Sequence, residues 1–150
     1  MVRHQAFYEF LPSDGPQYLA FPYRVQGGDR VEAAVQAEVS GQQFTRSLRD
    51  VSHGWAFSTT QTQSQPEGTL SSAEWIVESP PYDQQDRTPL LPFGTLSFAH
   101  CPANGRPIPA GPTTFRYVMT NASGPRERAR PGPLAPDCST FAFTWVSGQA

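Results

Sequence analysis

The stretch RVEAAVQAEV, residues Arg30 to Val39, decides the fold class. Small and branched apolar side chains occupy every second position of it, namely Val31, Ala33, Val35, Ala37 and Val39. Alternate side chains of an extended chain point to opposite faces, whereas a helix repeats every 3.6 residues. The preceding Gly27-Gly28-Asp29 is a turn signal. We therefore predict a β-strand here, although alanine and glutamate are also common in helices.

The same two-residue period recurs along most of the chain. Further strand candidates are AFYEFL (6–11), QYLAFPYRV (17–25), QQFTRSLRDV (42–51), GWAFSTTQ (54–61), SSAEWIVESPP (71–81), FGTLSFA (93–99), TFRYVMT (114–120) and STFAFTWV (139–146). In the last of these we expect Phe141, Phe143 and Trp145 to face the core. Short strands separated by turns rich in Pro (16 residues) and Gly (12 residues) are typical of sandwiches and jelly rolls. The sequence predicts an all-β, antiparallel two-sheet β-sandwich (jelly-roll, concanavalin-like), with residues 1–150 as a single domain.

Two stretches are predicted to be long loops because of their composition. SPPYDQQDRTPLLP covers residues 79–92, and SGPRERARPGPLAPD covers residues 123–137. In the second loop we expect Arg126, Arg128 and Arg130 to be solvated charges.

Charge and hydropathy exclude several classes of partner. The net charge is −2, and the pI is about 5.9. We expect no nucleic acid partner, because no basic surface is available. We also expect no membrane partner, since no apolar run approaches the ~20 residues that span a bilayer. The N-terminal residues MVRHQAFYEF lack the apolar region of a signal peptide.

Two cysteines, Cys101 and Cys138, leave two interpretations open. They could form one disulfide, worth roughly 3–4 kcal/mol by loop entropy, or remain two reduced small side chains. His100 precedes Cys101, but no second pair stands at zinc-ligand spacing, so we predict no metal site and no cofactor. The three histidines, His4, His53 and His100, are scattered, and we give none a catalytic role.

The segment SSAEWIVESPP places two carboxylates around a Trp-Ile-Val centre. In an extended chain Ala73, Trp75 and Val77 share one face, while Glu74, Ile76 and Glu78 share the other. The second face either meets water or carries a working carboxylate. Glu74 and Glu78 cannot be a glycosidase pair, because four residues at ~3.3 Å separate them by about 13 Å, and such pairs need ~5–9.5 Å. A pair formed by Glu9 and Glu74 on neighbouring strands stays open.

Several segments, taken together and in order, resemble the glutamic peptidases, the eqolisin family. The resemblance runs along essentially the whole chain. Its motifs are Phe7-Tyr8-Glu9-Phe10-Leu11-Pro12, Gly28-Asp29, Phe44-Thr45, Ser58-Thr59-Thr60-Gln61, Ala73-Glu74-Trp75-Ile76-Val77-Glu78, Phe93-Gly94-Thr95-Leu96-Ser97-Phe98, Asn121-Ala122-Ser123-Gly124 and Phe141-Ala142-Phe143-Thr144-Trp145.

The resemblance implies a secreted endopeptidase that acts on polypeptides in acid and resists inhibitors of aspartic proteases. It implies that catalysis rests on a Glu and a Gln, and the family's Glu lies in the motif that contains Glu74. Tyr8 and Glu9, in the Tyr-Glu motif, are predicted to contact substrate. We expect Glu78 to be structural or to face solvent.

The chain departs from the family pattern at its start. The family's catalytic Gln lies on a strand before the Tyr-Glu motif, and Gln5 matches no such position. We therefore expect these residues to correspond to the C-terminal two-thirds of the family domain, a sandwich incomplete at the N-terminus. A partner segment that supplies the missing strands is one expectation. The alternatives are a truncated peptidase fragment and a catalytically inactive sandwich that binds peptide or carbohydrate.

Overall fold

The structure is a computed structural model that describes residues 4–11, 14–38, 41–62, 72–79, 89–121 and 124–148. These residues divide into two compact units, within Met1–Ser71 and Ser72–Ala150, and each unit is described by itself. The prediction of a single domain stays a prediction.

The described residues contain nine strands and no helix, which confirms the all-β class. The strands are β1 (Phe7–Phe10), β2 (Asp14–Tyr18), β3 (Val31–Ala37), β4 (Gln43–Asp50), β5 (Trp55–Thr62), β6 (Thr95–Phe98), β7 (Met119–Thr120), β8 (Glu127–Pro131) and β9 (Phe141–Trp145). All pair antiparallel, in sheets ordered β1-β2, β3-β4-β5 and β6-β9-β8-β7. Nothing in the described ranges is a helix that could cross a membrane.

The first unit consists of the β1-β2 hairpin and the three-stranded sheet. The hairpin packs on the sheet through aromatic rings: Tyr8 stacks on Phe57 with ring centroids 5.4 Å apart, and Phe10 lies 5.2 Å from Phe44. In β5 every second residue from Trp55 is half-buried, as the alternating pattern predicts. The turn before β3 holds Gly28 at φ 94°, a left-handed conformation that glycine adopts at little cost.

The second unit is built on the four-stranded sheet, with β9 and β8 in its interior. Phe141 stacks on Phe98 at 5.2 Å between centroids, and Phe143 meets the same ring edge-on at 5.8 Å. Phe141, Phe143 and Trp145 are all partly buried. The aromatic stripe is therefore part of the packing of this unit, as predicted.

The most deeply buried large side chains in the described ranges are charged. Arg128 and Asp50 are both 0% exposed, whereas the buried hydrophobic residues are mostly small or lie in loops. Arginine and aspartate are almost never fully buried unless they are paired. Each of these two side chains therefore marks a specific polar arrangement, and both lie close to the sites described below.

Several predicted elements are wrong, among them the strand expected at QYLAFPYRV, of which β2 includes only Gln17 and Tyr18. The Arg-rich stretch taken as a loop contains β8, and Arg128 is buried in it, whereas Arg126 and Arg130 are exposed. The strand expected at TFRYVMT is reduced to Met119–Thr120. Proline is depleted in strands, but here the β9 ladder on one side and β7 on the other hold the segment extended.

Candidate active site

The segment that carries Glu74 is fixed in place without belonging to a strand. Residues 72–79 form no ladder among the described residues, although their sequence predicted a strand. Burial still alternates: Trp75 and Val77 are half-buried, while Glu74 and Glu78 are exposed. The side chains therefore face as an extended chain requires, with the carboxylates on the solvent side.

Contacts at both ends attach this segment to the four-stranded sheet. The Trp75 ring meets Phe141 of β9 edge-on, with centroids 6.1 Å apart. At its other end, Nη1 of Arg128 in β8 donates a hydrogen bond to Oγ of Ser79 over 3.1 Å. A hydrogen bond from a charged donor is stronger than one between neutral groups. Glu74 is adjacent to one anchor and five residues from the other.

The Glu74 carboxylate is open to water. Its Oε1 accepts a hydrogen bond from the Ser72 hydroxyl over 3.3 Å, and Ser72 is the donor that reaches it among the described residues. Because both groups are exposed, the bond is readily exchanged for one to water. Such a carboxylate can accept a proton from a water molecule that it holds.

Tyr8 and Glu9, predicted to contact substrate, lie in the first unit on β1. Tyr8 is half-buried: its ring stacks on Phe57, and the guanidinium carbon of Arg46 lies 5.0 Å from the Tyr8 ring centroid. The Glu9 side chain is exposed, and its backbone carbonyl accepts a hydrogen bond from Arg46 over 3.2 Å. Packing thus accounts for Tyr8, and a substrate role for either residue stays a prediction.

A polar chain around Arg46 is a feature that the sequence did not reveal. Arg46 is 8% exposed. Its Nη2 donates to Oε1 of Gln61 over 2.7 Å, and Nε2 of Gln61 donates to Oδ2 of Asp14 over 2.6 Å. The guanidinium also lies 5.1 Å from the Phe10 ring centroid. Arginine combines ring stacking with directed hydrogen bonds, so it can join the hairpin to the sheet.

Both cysteines are free thiols in the structure. Cys101 is buried, and Cys138 is half-buried. The backbone N–H of Cys101 donates to the carbonyl of Ser139 over 3.0 Å, which brings the two stretches of chain together. Burial, and then the negative charge of Asp137, raises the pKa of the Cys101 thiol. The disulfide between Cys101 and Cys138 stays a prediction.

A second polar cluster joins the turn before β3 to the turn between β4 and β5. Nδ1 of His53 lies 3.2 Å from Oδ2 of Asp29 and 3.2 Å from Oδ2 of Asp50. Burial alone would raise the pKa of Asp50, but hydrogen bonds from the backbone and ring of His53 outweigh it and hold that pKa below its usual value. Of the described residues, these three form the set that could hold a metal ion.

Comparison with known proteins agrees with the resemblance in the motifs. The model of the Peptidase A4 family matches residues 1–124. The fold is similar to the crystal structure of aspergilloglutamic peptidase from Aspergillus niger, with a TM-score of 0.72 and 19% identity over 96% of this chain and 81% of that chain. No curated protein matches the sequence. The likeness confirms the antiparallel β-sandwich class, and the chain belongs to the Peptidase A4 family, the glutamic peptidases.

Proposed function

We propose that this protein is an acid-acting endopeptidase in which Glu74 activates the water that attacks the peptide bond. Family and fold support a peptidase of the glutamic type. The observation that carries the proposal further is the position and exposure of Glu74. It lies in the motif that matches the family's catalytic glutamate, it is exposed, and its segment is anchored beside it by Trp75 and farther along by Ser79.

In this mechanism the carboxyl group of Glu74 acts first as general base and then as general acid. Ionised Glu74 takes a proton from the bound water while the water oxygen attacks the scissile carbonyl. The Glu74 acid so formed then gives the proton to the leaving amine, which restores the carboxylate. A general acid–base group of this kind contributes typically about 10²–10⁴-fold to the rate.

The second group of the reaction is an oxyanion donor. In the family this role is attributed to a glutamine, and we assign it to no residue of this chain, since Gln5 does not match the family position. A neutral amide suits the role in acid because it does not titrate, and the loss of one such donor costs about 10²–10³-fold. We also propose, from the family resemblance, that the enzyme is secreted, acts on polypeptides and is insensitive to pepstatin-type inhibitors.

One observation favours a second candidate, a catalytically inactive sandwich that binds peptide. Within the described part of the second unit, Ser72 supplies the hydrogen bond to Glu74, and no amide side chain bonds to that carboxylate. A site with a base and no oxyanion donor would bind a polypeptide without turning it over at a useful rate.

Digestion of an unfolded protein at about pH 4 separates the two candidates. The purified chain is first shown to be folded by circular dichroism and then assayed with and without a pepstatin-type inhibitor. We expect cleavage that the inhibitor leaves intact and that Glu74→Gln abolishes. Folded protein that retains an unfolded polypeptide on a column without cleaving it would support the inactive sandwich and overturn the peptidase proposal.

A further inference from the structure

We propose that Asp29, Asp50 and His53 bind a divalent metal ion of the zinc class, which ties the turn before β3 to the turn between β4 and β5. This site lies within the first unit, whereas Glu74 belongs to the second. The proposal does not depend on peptidase activity, and its test measures binding and stability.

The spacing of the three candidate ligand atoms fits such an ion. Nδ1 of His53 is 3.2 Å from each of the two carboxylate oxygens, and all three atoms lie within 4.8 Å of one another. Zinc bonds to nitrogen and oxygen are about 2.0–2.2 Å long, so two ligands of one ion stand roughly 3.0–3.5 Å apart. An ion can therefore reach all three atoms with small adjustments of the side chains.

Charge is the observation that calls for a cation. The side chains of Asp50 and Asp29 are 0% and 10% exposed, so both carboxylates are largely withdrawn from water. In the described part of the chain, the ion pairs give both carboxylates the same partner, Nδ1 of His53. Two largely buried carboxylates therefore share a single imidazole nitrogen. Buried carboxylates are stable when paired or bound to metal, and a dication balances both.

Groups outside the three ligands hold each carboxylate in the orientation that binding needs. The backbone N–H of Gln26 donates to Oδ2 of Asp29 over 2.6 Å, and the backbone N–H of His53 donates to Oδ1 of Asp50 over 2.9 Å. The second bond leaves Oδ2 of Asp50 directed at the ring. Nε2 of His53 lies 3.5 Å from the Gln26 side-chain amide, which can accept a hydrogen bond from Nε2–H when its oxygen faces the ring. Outer groups of this kind fix the tautomer and orientation of metal ligands.

The type of ligand narrows the choice of metal. One imidazole nitrogen and two carboxylates suit zinc or manganese, whereas calcium takes six to eight oxygen ligands.

The turns that the ion would join already share two hydrogen bonds: Arg30 N–H donates to Oγ of Ser52 over 2.9 Å, and Val51 N–H donates to the Arg30 carbonyl over 2.9 Å. A metal there adds a third and stronger connection. Because Asp29 is distant in the sequence from Asp50 and His53, local spacing does not predict the set of three ligands.

The test uses the full chain, stripped of metal with a chelator and then titrated with Zn²⁺ at pH 7. We expect one ion per chain and, at about 100 times the dissociation constant, a rise in the thermal midpoint of ~5–10 °C. Co²⁺ serves as a spectroscopic probe, and we expect visible absorption bands of a nitrogen- and oxygen-ligated ion without a thiolate charge-transfer band.

Substitutions locate the site. Asp29→Asn and His53→Gln should each weaken binding by at least about 100-fold, since a lost ligand costs more than a lost outer-shell group. His53 is partly exposed, so His53→Gln is the variant expected to keep the fold if Asp29→Asn loses it. His4→Gln is the matched control, because the His4 ring lies against Gly27 beside the site without belonging to it. Cys138→Ser controls for binding by a thiol.

The controls should bind as the unmodified chain does. No change in the thermal midpoint with Zn²⁺ would overturn the proposal. A shift that survives in His53→Gln and Asp29→Asn but disappears in His4→Gln or Cys138→Ser would also overturn it, and would mean an adventitious ion only.

Discussion

The anchor between Ser79 and Arg128 can be tested by removing a single hydroxyl group. In Ser79→Ala, Nη1 of Arg128 loses the acceptor that lies 3.1 Å away, and the guanidinium is 0% exposed, so water does not readily replace that acceptor. The substitution removes one oxygen atom and changes little of the packing around it. Any effect therefore reports the hydrogen bond and not a large cavity.

The expected magnitude follows from the charge of the donor. A hydrogen bond to a charged group contributes about 1.5–3 kcal/mol. For a chain of 150 residues, each kcal/mol changes the thermal midpoint by roughly 2–4 °C. A loss of about 2 kcal/mol should therefore lower the midpoint by ~4–8 °C. We also expect faster amide hydrogen exchange in residues 72–79, because a contact that attaches this segment to the sheet is gone.

Ser72→Ala is the matched control in the same segment. Its hydroxyl is exposed and bonds to the exposed Glu74, so its removal should change stability by no more than about 0.5 kcal/mol. Urea unfolding followed by tryptophan fluorescence, together with hydrogen exchange, gives both readouts. If Ser79→Ala and Ser72→Ala behave alike in both, Arg128 does not anchor the segment.

Three further predictions concern other parts of the structure. Arg46→Met removes the hydrogen bonds that a buried guanidinium donates to Glu9 and Gln61. The free energy of unfolding, measured in urea, should fall by about 2–3 kcal/mol. A change below about 0.5 kcal/mol would refute the role of Arg46 in joining hairpin and sheet. The hydroxyl of Thr140 and nearby backbone N–H groups lower the pKa of Asp137. The free energy of unfolding that Asp137 adds relative to Asp137→Asn should therefore be present above the unfolded pKa of about 3.9 and vanish as the pH falls through the lower folded value. A difference between the two proteins that is constant from pH 6 to pH 2 would contradict this. Because the pKa of the Cys101 thiol is raised, Cys101 should react with iodoacetamide at pH 8 more slowly than Cys138. Equal rates would contradict the burial of Cys101. Reaction of both residues only after reduction would establish the disulfide.

Alternation in the sequence predicted the strands well where a strand has one face against other residues. The half-buried positions of β5 and the aromatic stripe of β9 repeat every second residue, as the pattern requires. In residues 72–79 the same pattern correctly predicted the direction of the side chains from Glu74 to Glu78, but Ala73, expected on the face of Trp75, is exposed, and no ladder forms among the described residues. Side-chain direction is a property of the extended backbone, whereas ladder formation depends on a neighbour elsewhere in the chain.

Composition failed where tertiary contacts decide the outcome. Arginine, proline and glycine around Arg128 are typical of solvated loops, yet pairing with β9 makes this stretch a strand and buries the guanidinium. The Asp29 and His53 pair could not be anticipated either, because positions 29 and 53 meet only when the turn before β3 folds against the turn after β4. The resemblance to the glutamic peptidases, in contrast, was predictable, since an ordered set of motifs survives at an identity of 19%.

The most direct test of the account is kcat/KM on a single peptide at about pH 4 for Glu74→Gln and Glu78→Gln. The two residues stand on the same exposed face of one segment, and each substitution replaces a carboxylate with an amide of the same shape. If Glu74 transfers the proton, kcat/KM should fall by about 10²–10⁴-fold in Glu74→Gln and change by less than about threefold in Glu78→Gln. Equal losses in the two folded variants, or full activity of Glu74→Gln, would contradict the account.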